Sequence, residues 1–190
     1  MARPHSPAPL PGFSTPAVGF DEPMEMLHAC HERVQRSLDL LRRLCERVAE
    51  GRIDDAVFQA AQDVLRYFDI AGPHHHEDEE QHIFPAVLAQ VADPVVRSAV
   101  LRLQEDHLAM EKRWARLRTP LAALAAGRGS DFGPAQIAAA NRFRALYDDH
   151  IRTEETIVYP AARALFDEAA LRRMGEEMGS RRGAGRAPRR

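Results

Sequence analysis

The chain has 190 residues, 45% of them hydrophobic and 28% charged, and its 26 basic and 28 acidic residues leave a net charge of −2. This composition describes one domain of ordinary size, or one domain with tails; it excludes a large multidomain enzyme and a low-complexity chain, and it implies no polyelectrolyte partner for the surface as a whole. Nine histidines stand beside only three tyrosines and one tryptophan, an excess that asks for a chemical reason.

Residues 1–20 carry Pro4, Pro7, Pro9, Pro11 and Pro16, which read as an extended, proline-rich leader with no apolar core of a signal peptide. Asp21-Glu22-Pro23 then sets a cap and a first-turn proline before a periodic run that Gly51 closes. Met24, Leu27, His31, Val34, Leu38, Leu41, Cys45 and Val48 recur there at alternating steps of three and four. Cys30 and Cys45 share this helix and would sit ~22 Å apart at ~1.5 Å rise per residue, so they are expected as free thiols of a reducing, cytoplasmic compartment. Cys30 is expected to face away from His31.

Asp54 or Asp55 starts the second helix, whose inward positions are Val57, Ala61, Val64, Phe68, Ala71 and His75, then Glu79 after the Ala71-Gly72-Pro73 interruption. Pro73 and Pro85 predict kinks. Asp93-Pro94 opens the third, closed near Gly127, with Val96, Val100, Leu103, His107, Met110, Trp114, Leu117, Leu121 and Leu124 on its seam. Gly133-Pro134 opens the fourth, which is expected to run to about Gly179 with Ala140, Phe143, Tyr147, His150, Glu154, Ile157 and Ala161 inward. Nothing alternates like a strand, and the longest apolar run, Leu121 to Ala126, is too short for a membrane span. The segment 180–190 is arginine-rich and reads as a solubilising tail, with no nucleic-acid partner expected. The predicted architecture is all-α, a helical bundle over 21–179 between leader and tail.

The chain also repeats itself. His75, Glu79, Glu80, Pro85 and Ala86 match His150, Glu154, Glu155, Pro160 and Ala161 at a constant offset of 75, with Ile83/Val158 and Phe84/Tyr159 conservative, while His31 and His107 are 76 apart. The sequence therefore reads as a helical hairpin written twice. His and Glu four apart share a helix face, so each half can aim an imidazole and a carboxylate at one point. Burying two carboxylates and four imidazoles on apolar seams without partners would cost several kcal/mol per group, and no Lys or Arg occupies these positions. Metal is the simplest partner: four nitrogens and two carboxylates can hold two divalent cations, with Glu79 and Glu154 able to bridge them and leave open positions for a small ligand.

At these residues the chain resembles the hemerythrin-like, or HHE cation-binding, family over roughly residues 20 to 175. The resemblance implies an up-down-up-down four-helix bundle around a non-haem centre of two iron ions, oxo- or hydroxo-bridged, ligated by His31, His75, Glu79, His107, His150 and Glu154. Zinc and manganese suit the same donors. It further implies dioxygen, nitric oxide or peroxide as small ligand, either bound and sensed or handled with iron. The alternative is redox chemistry or iron–sulfur repair, although repair relatives carry an added cysteine-containing segment and this leader has no cysteine. Action on a separate protein partner is a third possibility.

One departure concerns the fifth histidine of the oxygen carriers, one turn after the third-helix histidine, where this chain has Glu111. Lying off the strict seam, Glu111 is a weak ligand or, as favoured, a surface acid. Tyr147 is a core aromatic or a donor to bound ligand. If a fifth nitrogen is supplied, His74 or His28 is expected to supply it; His76 is read as pointing elsewhere, ~100° round the helix from His75. There is no HExxH, phosphate loop or CxxC, so any catalysis would belong to the metal.

Overall fold

A computed structural model describes residues 19–128 and 132–184, and every regular element among them is helical. Most of the proline-rich leader and residues 185–190 of the basic tail lie outside the described residues. Helix α1 spans Pro23–Ala49, with Pro23 in its first turn and Gly51 beyond its end at φ 73°. A second rod is built from α2 (Asp55–Arg66), α3 (Gly72–Asp78) and α4 (Phe84–Gln90), joined by π-helical turns at Tyr67–Ala71 and Glu79–Ile83. Asp54 caps it by accepting from Val57 N–H at 3.2 Å. The third rod is α5 (Pro94–Ala125), capped by Asp93 and continuous through Pro120. The fourth is α6 (Pro134–Thr153), a π turn at Glu154–Val158 and α7 (Tyr159–Arg163). The first rod packs on the second and fourth, and the third packs on the same two, so the four close a ring.

Pro73, Pro85 and Pro160 each lie just past a π turn, where the residue before the proline donates its N–H to the carbonyl five back: Gly72 to Tyr67, Phe84 to Glu79, Tyr159 to Glu154. A proline lacks the N–H for the ordinary bond and its ring collides with the carbonyl four residues back, and a widened turn relieves both. The extra residue also moves the inward position along by one. Ile157 and Ala161, expected inward from a strict count, are only half-buried, while Val158, Tyr159 and Ala162 are buried in their stead.

The fourth rod does not continue to Gly179. It ends at Arg163, and a separate helix α8 (Glu168–Arg181) begins where the Asp167 carboxylate accepts from Ala170 N–H at 2.7 Å. Helix α8 packs on α1, and its Gly175 sits so close to the Phe20 carbonyl that a Cβ there would lie 1.8 Å from the oxygen. Arg181 and Arg182 bond the wholly buried Asp78 of α3.

Two apolar clusters fill the bundle. One, around Leu41, Val64, Phe68, Leu117 and Phe143, occupies one end. The other, around Leu27, Phe84, Leu103, Val158 and Met178, occupies the opposite end. Burying each such side chain contributes about 1.5–3 kcal/mol. Between the two clusters lies a layer of histidine and glutamate.

Candidate metal centre

Each rod sends side chains into that layer: His31 from α1, His75 from α3 with Glu79 opening the next π turn, His107 from α5, and His150 from α6 with Glu154 opening its π turn. All six side chains are buried, the two glutamates completely. Their donor atoms fall into two groups, His31, His75, Glu79 and Glu154 in one and Glu79, His107, His150 and Glu154 in the other, with atoms inside each group within 4.8 Å of one another. Both carboxylates belong to both groups. Glu154 lies 3.1 Å from His31 Nε2 through one oxygen and 2.8 Å from His150 Nε2 through the other. Glu79 Oε2 lies 3.8 Å from His75 Nε2 and 3.5 Å from His107 Nε2. Each glutamate thus lies between an imidazole of one group and an imidazole of the other.

Whether these residues fit a cation is decided by their hydrogen bonds. Glu79 Oε2 and both oxygens of Glu154 are buried without a hydrogen bond, although imidazole nitrogens lie close by. A buried carboxylate left so costs several kcal/mol, which a cation seated between the oxygens and the inward nitrogens removes. Imidazole with carboxylate suits iron, manganese and zinc.

Without a cation, protons carry the balancing charge. Burial lowers His31, but the Glu154 carboxylate beside its Nε2 outweighs it and raises its pKa to about 9. His107 is likewise lowered by burial and raised on balance to about 9 by Glu79 and Glu80. Burial dominates at His75, which falls to about 3. Burial would raise Glu154, yet His150 and His31 hold it far below the usual carboxylate range.

The outward nitrogens have partners of their own. His31 Nδ1 lies 2.9 Å from Glu155, and His107 Nδ1 lies 2.9 Å from Glu80, which also accepts from Gln104 at 2.7 Å. An Nδ1–H held by a carboxylate leaves the Nε2 lone pair aimed inward and makes it more basic. His150 Nδ1 has a longer contact to Asp106 at 3.5 Å, and His75 Nδ1 is buried without a partner. Tyr159 adds its hydroxyl, donating to Glu79 Oε1 and lying 3.3 Å from His31 Nε2; burial pushes that hydroxyl far above its ordinary pKa, so it keeps its proton.

The remaining expected residues divide. Glu111 is exposed and outside the ligand groups. Tyr147 is buried against Phe68 and Phe143, its ring 6.4 Å from that of His150. His74 lies 3.7 Å from Glu77, away from the layer, and His28 is exposed, grouped with His31 and Glu155 at the outer edge. Cys30 and Cys45 are free and buried. The histidine at the layer is His76, which forms a third group with His107 and His150. A residue one step past a seam position flanks the seam and faces the neighbouring rod, which is how His76 reaches α5. Glu80 and Glu155 were signalled by the repeated Glu-Glu pair, and Tyr159 by the one place where the repeat exchanges a phenyl for a phenol. A cavity of about 620 Å³ opens beside His107, walled by His76, Glu80, Phe68, Trp114 and Tyr147. A smaller one, about 370 Å³, touches Gln35, Leu38, Ile151 and Glu155 at the matching place in the other half.

The family model described as the hemerythrin HHE cation binding domain matches residues 22–162, a span that contains all six buried histidines and glutamates of the layer and His76. A protein of Haemophilus influenzae, described as an uncharacterized protein, is 32% identical over 163 residues, covering 86% of this chain and 91% of its own length. No described helix is long and apolar enough to cross a membrane. With the match spanning the buried His/Glu layer, the chain belongs to the hemerythrin family of HHE cation-binding domains.

Proposed function

We propose that the layer holds two iron ions and binds dioxygen or nitric oxide reversibly, in an up-down-up-down bundle whose four rods each contribute ligands. The observation that carries this reading is the pair of wholly buried glutamates shared between two sets of imidazoles, with three of their oxygens lacking any hydrogen bond. The ring of rod contacts and the short connections support the topology. Two ferrous ions would supply the electrons that hold a diatomic ligand. The chain's own groups do the rest: Glu80 and Glu155 fix the imidazoles of His107 and His31, and the apolar clusters on either side keep bulk water out. Tyr159 holds a proton at Glu79 Oε1, an O–H that the layer could offer to a group gaining negative charge there.

Anaerobic loading with ferrous iron, metal counting, and absorbance on adding and then removing dioxygen test the proposal. Two irons per chain with bands that come and go support it. Fewer than two irons overturns the site, and irreversible oxidation replaces carriage or sensing with redox chemistry on nitric oxide or peroxide, or with iron handling.

A further inference from the structure

Four aromatic residues wall the larger cavity, and their rings are packed on one another. Centroid to centroid, Phe68 lies 5.1 Å from Trp114 and 5.0 Å from Phe143, and Phe143 lies 5.4 Å from Tyr147. Trp114 is half-buried, and its indole is fixed by an Nε1–H bond to Asp69 at 3.0 Å. The volume, about 620 Å³, falls in the ~300–1,000 Å³ range of small-molecule pockets. Of the six residues of the buried layer only His107 lines it, so its chemistry stands whether or not the layer holds iron.

The charge on this wall has one sign. Glu77, Glu80 and Glu111 line the cavity, and no Lys or Arg does. Glu80 is engaged by His107 and Gln104, and Glu77 accepts from Gln81 at 3.0 Å. Glu111 is exposed and has no ion-pair partner among the described residues. His107, Glu111 and Trp114 follow one another along α5 at steps of four and three, so the free carboxylate and the indole share a helix face. Leu108, also on the wall, is 56% exposed, and the cavity opens to solvent there. Tyr147, by contrast, is 3% exposed, and neither its hydroxyl nor the His76 ring has a hydrogen-bond partner among the described residues. The inner wall therefore keeps polar groups that an occupant can satisfy.

We propose that this cavity binds a small organic cation with an apolar body, an arylalkyl- or alkylammonium, whose charge rests beside Glu111 and Trp114 and whose body lies against Phe68 and Phe143. Aromatic faces attract a cation through the ring quadrupole, and the unpaired carboxylate adds a coulombic term of the same sign. An anion of the same shape would meet three carboxylates and no base, and a neutral molecule would leave Glu111 unused.

Trp114 is the single tryptophan of the chain, so its fluorescence reads the cavity directly. The probe is benzyltrimethylammonium, which has no lone pair and cannot ligate a metal. Benzyl methyl sulfone and phenylmethanesulfonate keep a similar shape with no charge and with a negative one. The full chain is expected to show a saturable change in Trp114 emission with the ammonium, confirmed by calorimetry, at an affinity about tenfold or more above that for the sulfone, and no saturation with the sulfonate. Glu111→Gln should weaken the ammonium about threefold or more and leave the sulfone unchanged. Trp114→Leu, followed by calorimetry, should weaken it about tenfold; should that variant fold poorly by circular dichroism, the exposed Glu111 position carries the test. Absence of saturable ammonium binding, or equal affinities for the three probes, overturns the assignment, as does ammonium binding that Glu111→Gln leaves unchanged. Iron counting tests the layer separately, so the failure of one reading is distinguishable from the failure of the other.

Discussion

Phe84 and Tyr159 occupy equivalent places in the two halves of the chain, each stacked on the histidine of a facing helix, but only Tyr159 carries a hydroxyl, and that hydroxyl donates to Glu79. Tyr159→Phe makes this pair alike without adding bulk. The variant should retain two metals, lose about 1–3 kcal/mol of metal-free stability in urea unfolding as a buried carboxylate gives up its donor, and release bound dioxygen faster in stopped-flow absorbance.

Glu80 and Glu155 each hold the outward nitrogen of one histidine. Glu155→Ala should weaken the position containing His31, and Glu80→Ala the position containing His107, each by about 10–100-fold. Competition with a chromophoric chelator would show one weakened step per variant; a loss of both steps in either variant contradicts the division into two positions.

Glu154 serves both groups and His75 only one. Glu154→Ala should abolish stoichiometric iron binding, and His75→Ala should bring the count below two per chain. Two irons retained by both variants, measured by elemental analysis, would dismiss the ligand assignment.

Metal-free stability should depend on pH in both directions. His31 and His107 titrate near 9 in the folded chain against an ordinary 6.5, so the stability they add is fully present below 6.5 and is lost as pH rises through about 9. His75 titrates near 3 when folded, so between 6.5 and 3 the unfolded chain takes up a proton that the folded one refuses, and stability falls as pH falls through that range. The urea midpoint of the metal-free protein should therefore peak at about pH 6–7 and shift less when metal holds these nitrogens.

Gly175 admits the Phe20 carbonyl where a side chain would collide with it. Gly175→Ala should loosen α8 from α1 while leaving the ligands in place. Hydrogen exchange faster across 168–181, with an unchanged metal count, is the expected result.

The gathering of His31, His75, Glu79, His107, His150 and Glu154 in one buried layer was legible because their spacing repeats at a fixed offset and buried charge needs a partner. Helix caps at Asp54, Asp93 and Gly133 were equally open to reading, since each announces itself by residue type. Beyond Glu154 the strict count failed: the π turn before Pro160 adds a residue that no periodic step anticipates, so Val158 and Tyr159 replaced Ile157 inside. The break at Asp167 was missed because the seam pattern outweighed a single capping residue. His76 was missed because rotation about its own helix says nothing of the facing α5 ring on which it rests.

The orphaned carboxylates sit where all four rods meet, and His31 and Glu154 are joined across more than half the length of the chain. An ion seated there binds the folded chain and finds no such cluster in the unfolded one, so folding free energy grows with the logarithm of free metal. Occupancy would then govern survival: a molecule without metal would open more often, and cellular proteases, which cut the open form, would remove empty copies before filled ones.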